Sequence, residues 1–340
     1  MAKTISFASF NLYNLQLPDK KWRGNQYTQQ EYDDKVRWTG SMVKKLDADI
    51  IAFQELWSRE CLEHVFESAG LAYSYELFYI KDEWYDIAVA AAVKKHLIVE
   101  NITVHKKFPD GFRLIKREVD HSSSTIENED DDIEIVINKF SRSLLQLSVK
   151  HQDYPSEPNI EVFATHLKSK LPTRLDKDEY NDSSIKPHSM ALGDALSTIR
   201  RLSEATALRV ILNNTLRGTD TPAVVLGDFN DSVTSNALAI LTGQSAYRLY
   251  DSSHIGNAND KGLYSSAIMQ QFRSIKDSLY THEHNGLKDT LDHILFSEQF
   301  YPFSRNKLWS FKEMNVWNDH VGDDTKKTTD HGIIKTTFIR

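Results

Sequence analysis

Carboxylates, histidines and asparagines stand where short apolar runs end. Asn11 follows the run 5–10, Glu55 follows IIAF and Gln54, and His166 follows VFAT. Asp228 and Asn230 follow AVVLG, and Asp330 and His331 precede GIIKTTFI. Each has a local reading: a helix N-cap or solvated loop for Glu55, a turn for Asp228, a cap on a backbone carbonyl for His166. Asp292 resists one. It lies among Leu291, Ile294, Leu295 and Phe296, and a carboxylate buried in a strand needs a partner. His293 beside it points to the opposite face and reads as structural. Where parallel strands share a sheet, their carboxyl ends form one edge and ligands bind there. Oxygen and imidazole donors gathered at such an edge suit a hard divalent cation, Mg²⁺ or Mn²⁺, with Ca²⁺ also admitted.

The elements that must carry these residues alternate between the two periodicities. Apolar runs at 5–10, 49–53, 74–80, 86–93, 97–104, 133–137, 143–149, 160–165 and 222–226 read as strands, with more near 291–296, 308–311 and 332–339. Helical spacing appears at 31–47, around Leu62, Val65 and Phe66, and over 188–217. Many strands are consecutive, so two packed sheets with helices outside are expected rather than one parallel sheet. Three polar stretches interrupt the pattern. Residues 117–134 carry Ser122–Ser124 and Asp130–Asp132 and read as a solvated hairpin tip. Residues 168–187 begin with Lys168, Lys170, Arg174 and Lys177, and 251–271 mix polar residues with aromatics.

Composition excludes several classes. The chain has 340 residues, a formal charge of −7 and 26% charged residues, ordinary for a globular protein. Mild acidity argues against coating nucleic acid by charge alone but allows local basic patches. The longest nearly apolar stretch, 87–93, is far shorter than the roughly 18 residues of a membrane span. The first residues lack the apolar core of a signal peptide, so a cytoplasmic protein is expected. The single cysteine, Cys61, excludes intrachain disulfides and CxxC motifs and reads as a small core residue.

Together, FNLYN at 10–14, FQE at 53–55, ATHLKSK at 164–170, GDFND at 227–231, LDHIL at 291–295 and TDHG at 329–332 resemble the endonuclease/exonuclease/phosphatase superfamily, in that family's order. The resemblance implies a four-layer α/β sandwich over residues 1–340 as a single domain, with two central mixed β-sheets flanked by helices. It implies metal-dependent hydrolysis of a phosphoester. By matching motif, Glu55 would be the principal metal ligand, with Asn11 and Asp330 completing or orienting that site. Asp228 and Asn230 would bind phosphate and attacking water, or a second metal. His331 would be the general base, oriented by Asp292; His166 and Arg142 would contact the phosphate. A second pair, Asp319-His320, leads into a loop-like stretch and reads as a surface turn.

The branch is narrowed by what is present. The tryptophan-cysteine-aspartate-arginine run of 5-phosphatases is absent, and His166 favours the deoxyribonuclease I or sphingomyelinase side. HLKSK resembles a stretch of bacterial nucleases in the superfamily, so Lys168 and Lys170 are candidate contacts to flanking phosphates. The expectation is a nuclease acting on DNA or RNA. A sphingomyelinase-like or small-molecule phosphodiesterase or phosphatase is the alternative, and a catalytically dead binding module is disfavoured by the complete residue set.

Overall fold

The computed structural model describes residues 3–79, 87–116, 133–247, 262–274, 279–323 and 325–340. The first half contains strands β1 (Thr4–Leu15), β2 (Ile50–Leu56), β3 (Tyr75–Tyr79), β4 (Ala88–Lys94), β5 (Leu97–Lys107), β6 (Leu114–Lys116), β7 (Ile133–Ile135), β8 (Lys139–His151) and β9 (Ile160–His166). The second contains β10 (Ala223–Asp228), β11 (Tyr264–Ser265), β12 (His282–His284), β13 (Leu287–Asp289), β14 (Asp292–Phe296), β15 (Ser310–Trp317) and β16 (Ile333–Ile339). The helices are α1 (Gln29–Leu46), α2 (Arg59–Ser68), α3 (Lys177–Asn181), α4 (Ser189–Leu216), α5 (Asn236–Thr242) and α6 (Ser266–Gln271).

Two six-stranded sheets result, ordered β15-β16-β1-β2-β4-β3 and β11-β14-β10-β9-β8-β5. Each has one parallel pair at its centre, β1 with β2 and β9 with β10, flanked by antiparallel neighbours. Burial on both faces follows from strict alternation. Ile5 and Phe7, Ile50 and Ala52, Val162 and Ala164, and Val224 and Leu226 meet in the core between the sheets. Their neighbours in sequence face outward: Ala8, Phe10, Ile51 and Phe53 against α1 and α2, and Phe163, Ala223 and Val225 against α4 and α5. The molecule is thus the expected four-layer sandwich. Cys61 is fully buried in the layer under α1 and α2.

Departures from the sequence reading have local causes. Helix α1 begins at Gln29 because Thr28 and Glu31 form a capping box. Strand β15 runs to Trp317 rather than 311. A bulge between Phe311 and Glu313 shifts the alternation by one, so Phe311 and Met314 both face the core although their spacing is odd. The short elements α3, α5, α6 and the β12–β13 hairpin have too few residues for a periodic signal. The expected hairpin tip at Ser122–Ser124 and Asp130–Asp132, and residues 251–261 of the third polar stretch, lie outside the described residues. Among the described residues no helix is long and apolar enough to cross a membrane.

Gly227 sets how closely the central strands of the second sheet approach. It sits at φ +147°, and a Cβ there would lie 1.9 Å from the carbonyl oxygen of Thr165. Gly227→Ala must push β10 away from β9 and is expected to destabilise by about 3 kcal/mol or more. The test is the urea midpoint, and an unchanged midpoint would contradict the close approach.

Candidate active site

The inner-face alternation that builds the core runs on to the sheet edges and there turns polar. On β9 the inward series 160, 162, 164 ends at His166; on β10 the series 224, 226 ends at Asp228; on β14 the inward residue before Ile294 is Asp292. Asp228 is in register with His166 on one side and with Asp292 on the other. The three therefore form one row across adjacent strands. From the first sheet, Asn11 on β1 reaches over, its Nδ2 donating to Asp228 Oδ2 at 3.1 Å. His331 enters on the segment before β16, which runs antiparallel to β1.

His331 is buried between two carboxylates. Its Nδ1 is 2.8 Å from Asp292 Oδ2 and its Nε2 is 3.9 Å from Asp228 Oδ2. His166 Nε2 lies 3.3 Å from that same Asp228 oxygen. Burial alone would depress the His331 pKa, but Asp292 and Asp228 outweigh it and hold the imidazole well above its ordinary value. Burial pushes Asp292 up to about 6. For Asp228, burial opposes ionisation, yet His331 and His166 win and keep the carboxyl far below its usual range. Burial and the nearby Arg142 guanidinium lower the His166 pKa below its ordinary value.

Glu55 and Asp330 stand at the neighbouring edge of the first sheet. Glu55 Oε2 accepts from the Asn14 amide at 3.1 Å. Burial raises the Asp330 pKa, and the charge of Glu55 raises it further. The backbone is left-handed at Tyr13 (φ 48°), Asn14 (φ 56°), Glu55 (φ 59°) and Asn230 (φ 54°). Side chains other than glycine adopt this region at a cost of about 1–3 kcal/mol each, and such strain clusters at functional sites.

Several predicted residues are thus brought together: Asn11, His166, Asp228, Asp292 and His331 contact one another, with Glu55 and Asp330 beside them. Asn230 holds the pocket's shape, its amide N–H donating to Asp228 Oδ1 (2.8 Å) and its Nδ2 to the Leu167 carbonyl (3.1 Å). Arg142 donates to the same carbonyl at 2.9 Å, within the fields of Glu55 and Asp228. Lys168 and Lys170 stay at the rim. Lys168 Nζ is engaged by the carbonyls of Ser169 and Leu171, and Lys170 pairs with Asp289 at 3.3 Å. His293 faces outward as expected, its Nε2 donating to the Asp231 carbonyl at 2.8 Å. His320 is not a free surface turn: it packs on Trp38 and donates from Nε2 to the carbonyl of His331 at 2.8 Å.

Lys35 was missed. It is 1% exposed, and its ammonium donates to the carbonyls of Tyr13 (3.1 Å) and Thr328 (2.9 Å). It thereby ties the end of β1 to the segment carrying Asp330 and His331. Burial pushes its pKa down to about 7 against the pull of Asp330 and Glu55. The signal was available, because a lysine lies on the inward stripe of α1 with Tyr32, Val36, Thr39 and Val43. Thr281 was also missed. Its Oγ1 accepts from the amides of Leu291 (2.9 Å) and Asp292 (3.1 Å), and its carbonyl accepts from Gly332 at 2.6 Å. A Cβ on Gly332 would sit 3.1 Å from Thr281 Cα, which explains glycine directly after His331.

The donor set fits a cation. Asp330 Oδ1 and Asp292 Oδ1 are buried without hydrogen-bond partners. Among the described residues, two groups place ligand atoms within 4.8 Å of one another: Asp228, Asp292 and His331, and His282, Asp330 and His331.

A four-layer sandwich with acids, imidazoles and amides converging between its two sheet edges defines a phosphoesterase of the deoxyribonuclease I-like class. The chain belongs to the Endonuclease/Exonuclease/phosphatase family, whose sequence profile matches residues 8–331. An endonuclease/exonuclease/phosphatase family protein from Bacteroides thetaiotaomicron shares the fold at a TM-score of 0.55 and 14% identity, over 100% of this chain and 98% of that one. So does a mannosyl-6-phosphatase from the same organism, also at 0.55 and 14%, over 99% and 100%. D. rerio TDP2 complexed with a single-strand DNA product matches at 0.54 and 14%, over 98% of each chain. No curated protein sequence matches significantly.

The position of His331 between two carboxylates has a direct spectroscopic consequence. Its ring protons, followed by NMR, should titrate above the ordinary histidine value of about 6.5. Asp292→Asn should bring that titration down, because a carboxylate that favours the imidazolium is removed. Titration at or below the ordinary value in the unsubstituted protein would contradict the geometry.

Proposed function

We propose that this chain is a divalent-metal-dependent phosphodiester hydrolase whose substrate is nucleic acid. The observation that carries the reading is the buried His331–Asp292 pair, with His331 Nε2 directed to Asp228 and Asn11 at the meeting point of the two sheets. In its neutral form His331 donates from Nδ1–H to Asp292 and keeps the lone pair on Nε2, the atom that takes the proton from an attacking water. Because its pKa is raised, activity should rise with pH through that ionisation. Asp228, fixed by Asn11 and by the Asn230 amide, accepts a hydrogen bond from that water and orients it. His166 can donate to a phosphoryl oxygen from its ring N–H. Arg142 supplies a charged donor on the same side. Glu55 and Asp330, with Asn11 orienting the edge, would hold Mg²⁺ or Mn²⁺, Ca²⁺ being a further oxygen-seeking candidate. When bound, the cation would neutralise the phosphoryl and leaving oxygens.

Nucleic acid is supported by the resemblance of the HLKSK stretch to bacterial nucleases and by the fold shared with TDP2, solved with a DNA product. One observation favours a small phosphoester instead. Lys168 and Lys170 are engaged by the protein's own carbonyls and carboxylates rather than presented to a strand of phosphates. A mannosyl-6-phosphatase shares the fold equally well.

An activity panel separates the readings: plasmid DNA, single-stranded DNA, RNA, sphingomyelin, a sugar phosphate and a chromogenic bis-ester, each with Mg²⁺, Mn²⁺ or Ca²⁺. Nucleic acid should be cleaved best. His331→Ala should lose about 10²–10⁴-fold in turnover. Glu55→Gln should retain the fold by circular dichroism and need far more Mg²⁺ for half-maximal rate. Cleavage of the sugar phosphate alone would replace the nuclease reading with the small-substrate one. Lys168→Ala/Lys170→Ala should weaken nucleic-acid cleavage and flatten its salt dependence, by about 0.7–0.9 log units for each phosphate no longer neutralised, while sparing the bis-ester.

A further inference from the structure

A second type of donor set lies beside the oxygen ligands of the first sheet. His282 opens the β12–β13 hairpin, whose turn at Asn285 and Gly286 has φ 52° and 78°. That two-residue left-handed turn fixes the hairpin register, His282 opposite Asp289. The hairpin is anchored to the pocket through its neighbour Thr281, which accepts from Gly332 and donates its own amide to Asp289. An antiparallel bridge pairs His282 directly with His331. The two imidazoles lie 5.0 Å apart between ring centroids. Donor atoms of His282, Asp330 and His331 fall within 4.8 Å of one another, and the Asp330 Oδ1 atom is buried without a hydrogen-bond partner.

Two imidazoles and one carboxylate are not the donors a magnesium ion selects. Mg²⁺ takes oxygen ligands and water, whereas imidazole pairs with a carboxylate around Zn²⁺ and related late transition metals. Zn²⁺ takes imidazole and carboxylate donors at about 2.0–2.2 Å.

We propose that His282, Asp330 and His331 form an inhibitory site for a late transition-metal ion, Zn²⁺ in the first instance. The inference rests on the phosphodiesterase reading for its consequence, not for the binding. Zn²⁺ held there takes the Nε2 lone pair of His331, the one that accepts the water proton, and occupies Asp330. Hydrolysis supported by Mg²⁺ is therefore blocked while the fold is retained. His282 touches none of Asn11, Glu55, His166 or Asp228 through a hydrogen bond or ion pair in the described structure. It does pack on His331, so inhibition in each variant is scored against that variant's own Mg²⁺-supported rate.

The experiment is a calorimetric titration of the metal-free protein with ZnCl₂, paired with Zn²⁺ inhibition of bis-ester hydrolysis at fixed saturating Mg²⁺. The unsubstituted protein and Glu55→Gln should both bind one Zn²⁺. His282→Ala and the polar His282→Gln should bind at least about tenfold more weakly. His284→Ala, altered on the same exposed hairpin, should bind normally. In the inhibition arm the Zn²⁺ concentration for half-inhibition should rise by the same factor in the His282 variants. Equal Zn²⁺ affinity in the unsubstituted and His282 variants overturns the site. Loss of binding in Glu55→Gln alone overturns it too, by placing Zn²⁺ with the oxygen ligands. A protein that hydrolyses no phosphodiester but shows the His282-dependent titration keeps the metal site and loses the functional reading.

Discussion

Two aspartates directly opposite each other on adjacent strands, inside a packed sheet edge, cannot both be ionised unless a positive charge lies between them. Asp228 and Asp292 are such a pair, and His331 is the group between them. Like charges across a ladder repel, and each buried carboxylate also loses its hydration. The imidazole relieves both costs at once, which is why its own pKa rises in spite of burial. Breaking such a buried arrangement by removing one member leaves an uncompensated charge, worth about 3–5 kcal/mol. Local stability and the proposed catalytic arrangement therefore rest on the same contact.

Much of the surrounding structure serves to hold that contact. Thr281 pins β14 to the hairpin and, through its carbonyl, to Gly332. Thr329 donates from Oγ1 to the Asn11 carbonyl at 2.8 Å and accepts from the amide of His331. Lys35 bonds the two segments from the other side. His320, an apparent rival to His331 in sequence, donates to its carbonyl. The strained backbone at Tyr13, Asn14, Glu55 and Asn230 rims the same pocket. It is tolerated because strands buried on both faces determine where each of those residues must lie.

Symmetry of the two sheets explains why one pocket collects residues from so much of the chain. Each sheet has a parallel pair at its centre, so the carboxyl ends of β1 and β2 and of β9 and β10 come to one end of the sandwich. The amino ends of the antiparallel neighbours β14 and β16 arrive there too. Residues as far apart as Asn11 and Asp228 can then share a hydrogen bond.

The sequence alone determined the layers, the central strands and most of the polar set, since each depends on short-range pattern. Alternation marked the buried strands, and polar residues at their ends marked the edge. Asp292 was legible because a carboxylate among Leu291, Ile294, Leu295 and Phe296 has no solvent to meet. Lys35 carried a visible signal, a charge on the inward stripe of α1, but nothing local says what an inward lysine bonds. What only the tertiary structure decided is which partners each group receives. The order of strands places Asp228 between His166 and Asp292, a pairing of residues more than 60 positions apart that no local pattern contains. The bulge in β15, the approach of Gly332 to Thr281 and the engagement of Lys168 and Lys170 by their own surroundings arise from how elements meet. Pattern fixes which face a side chain takes, and only packing fixes what stands across from it.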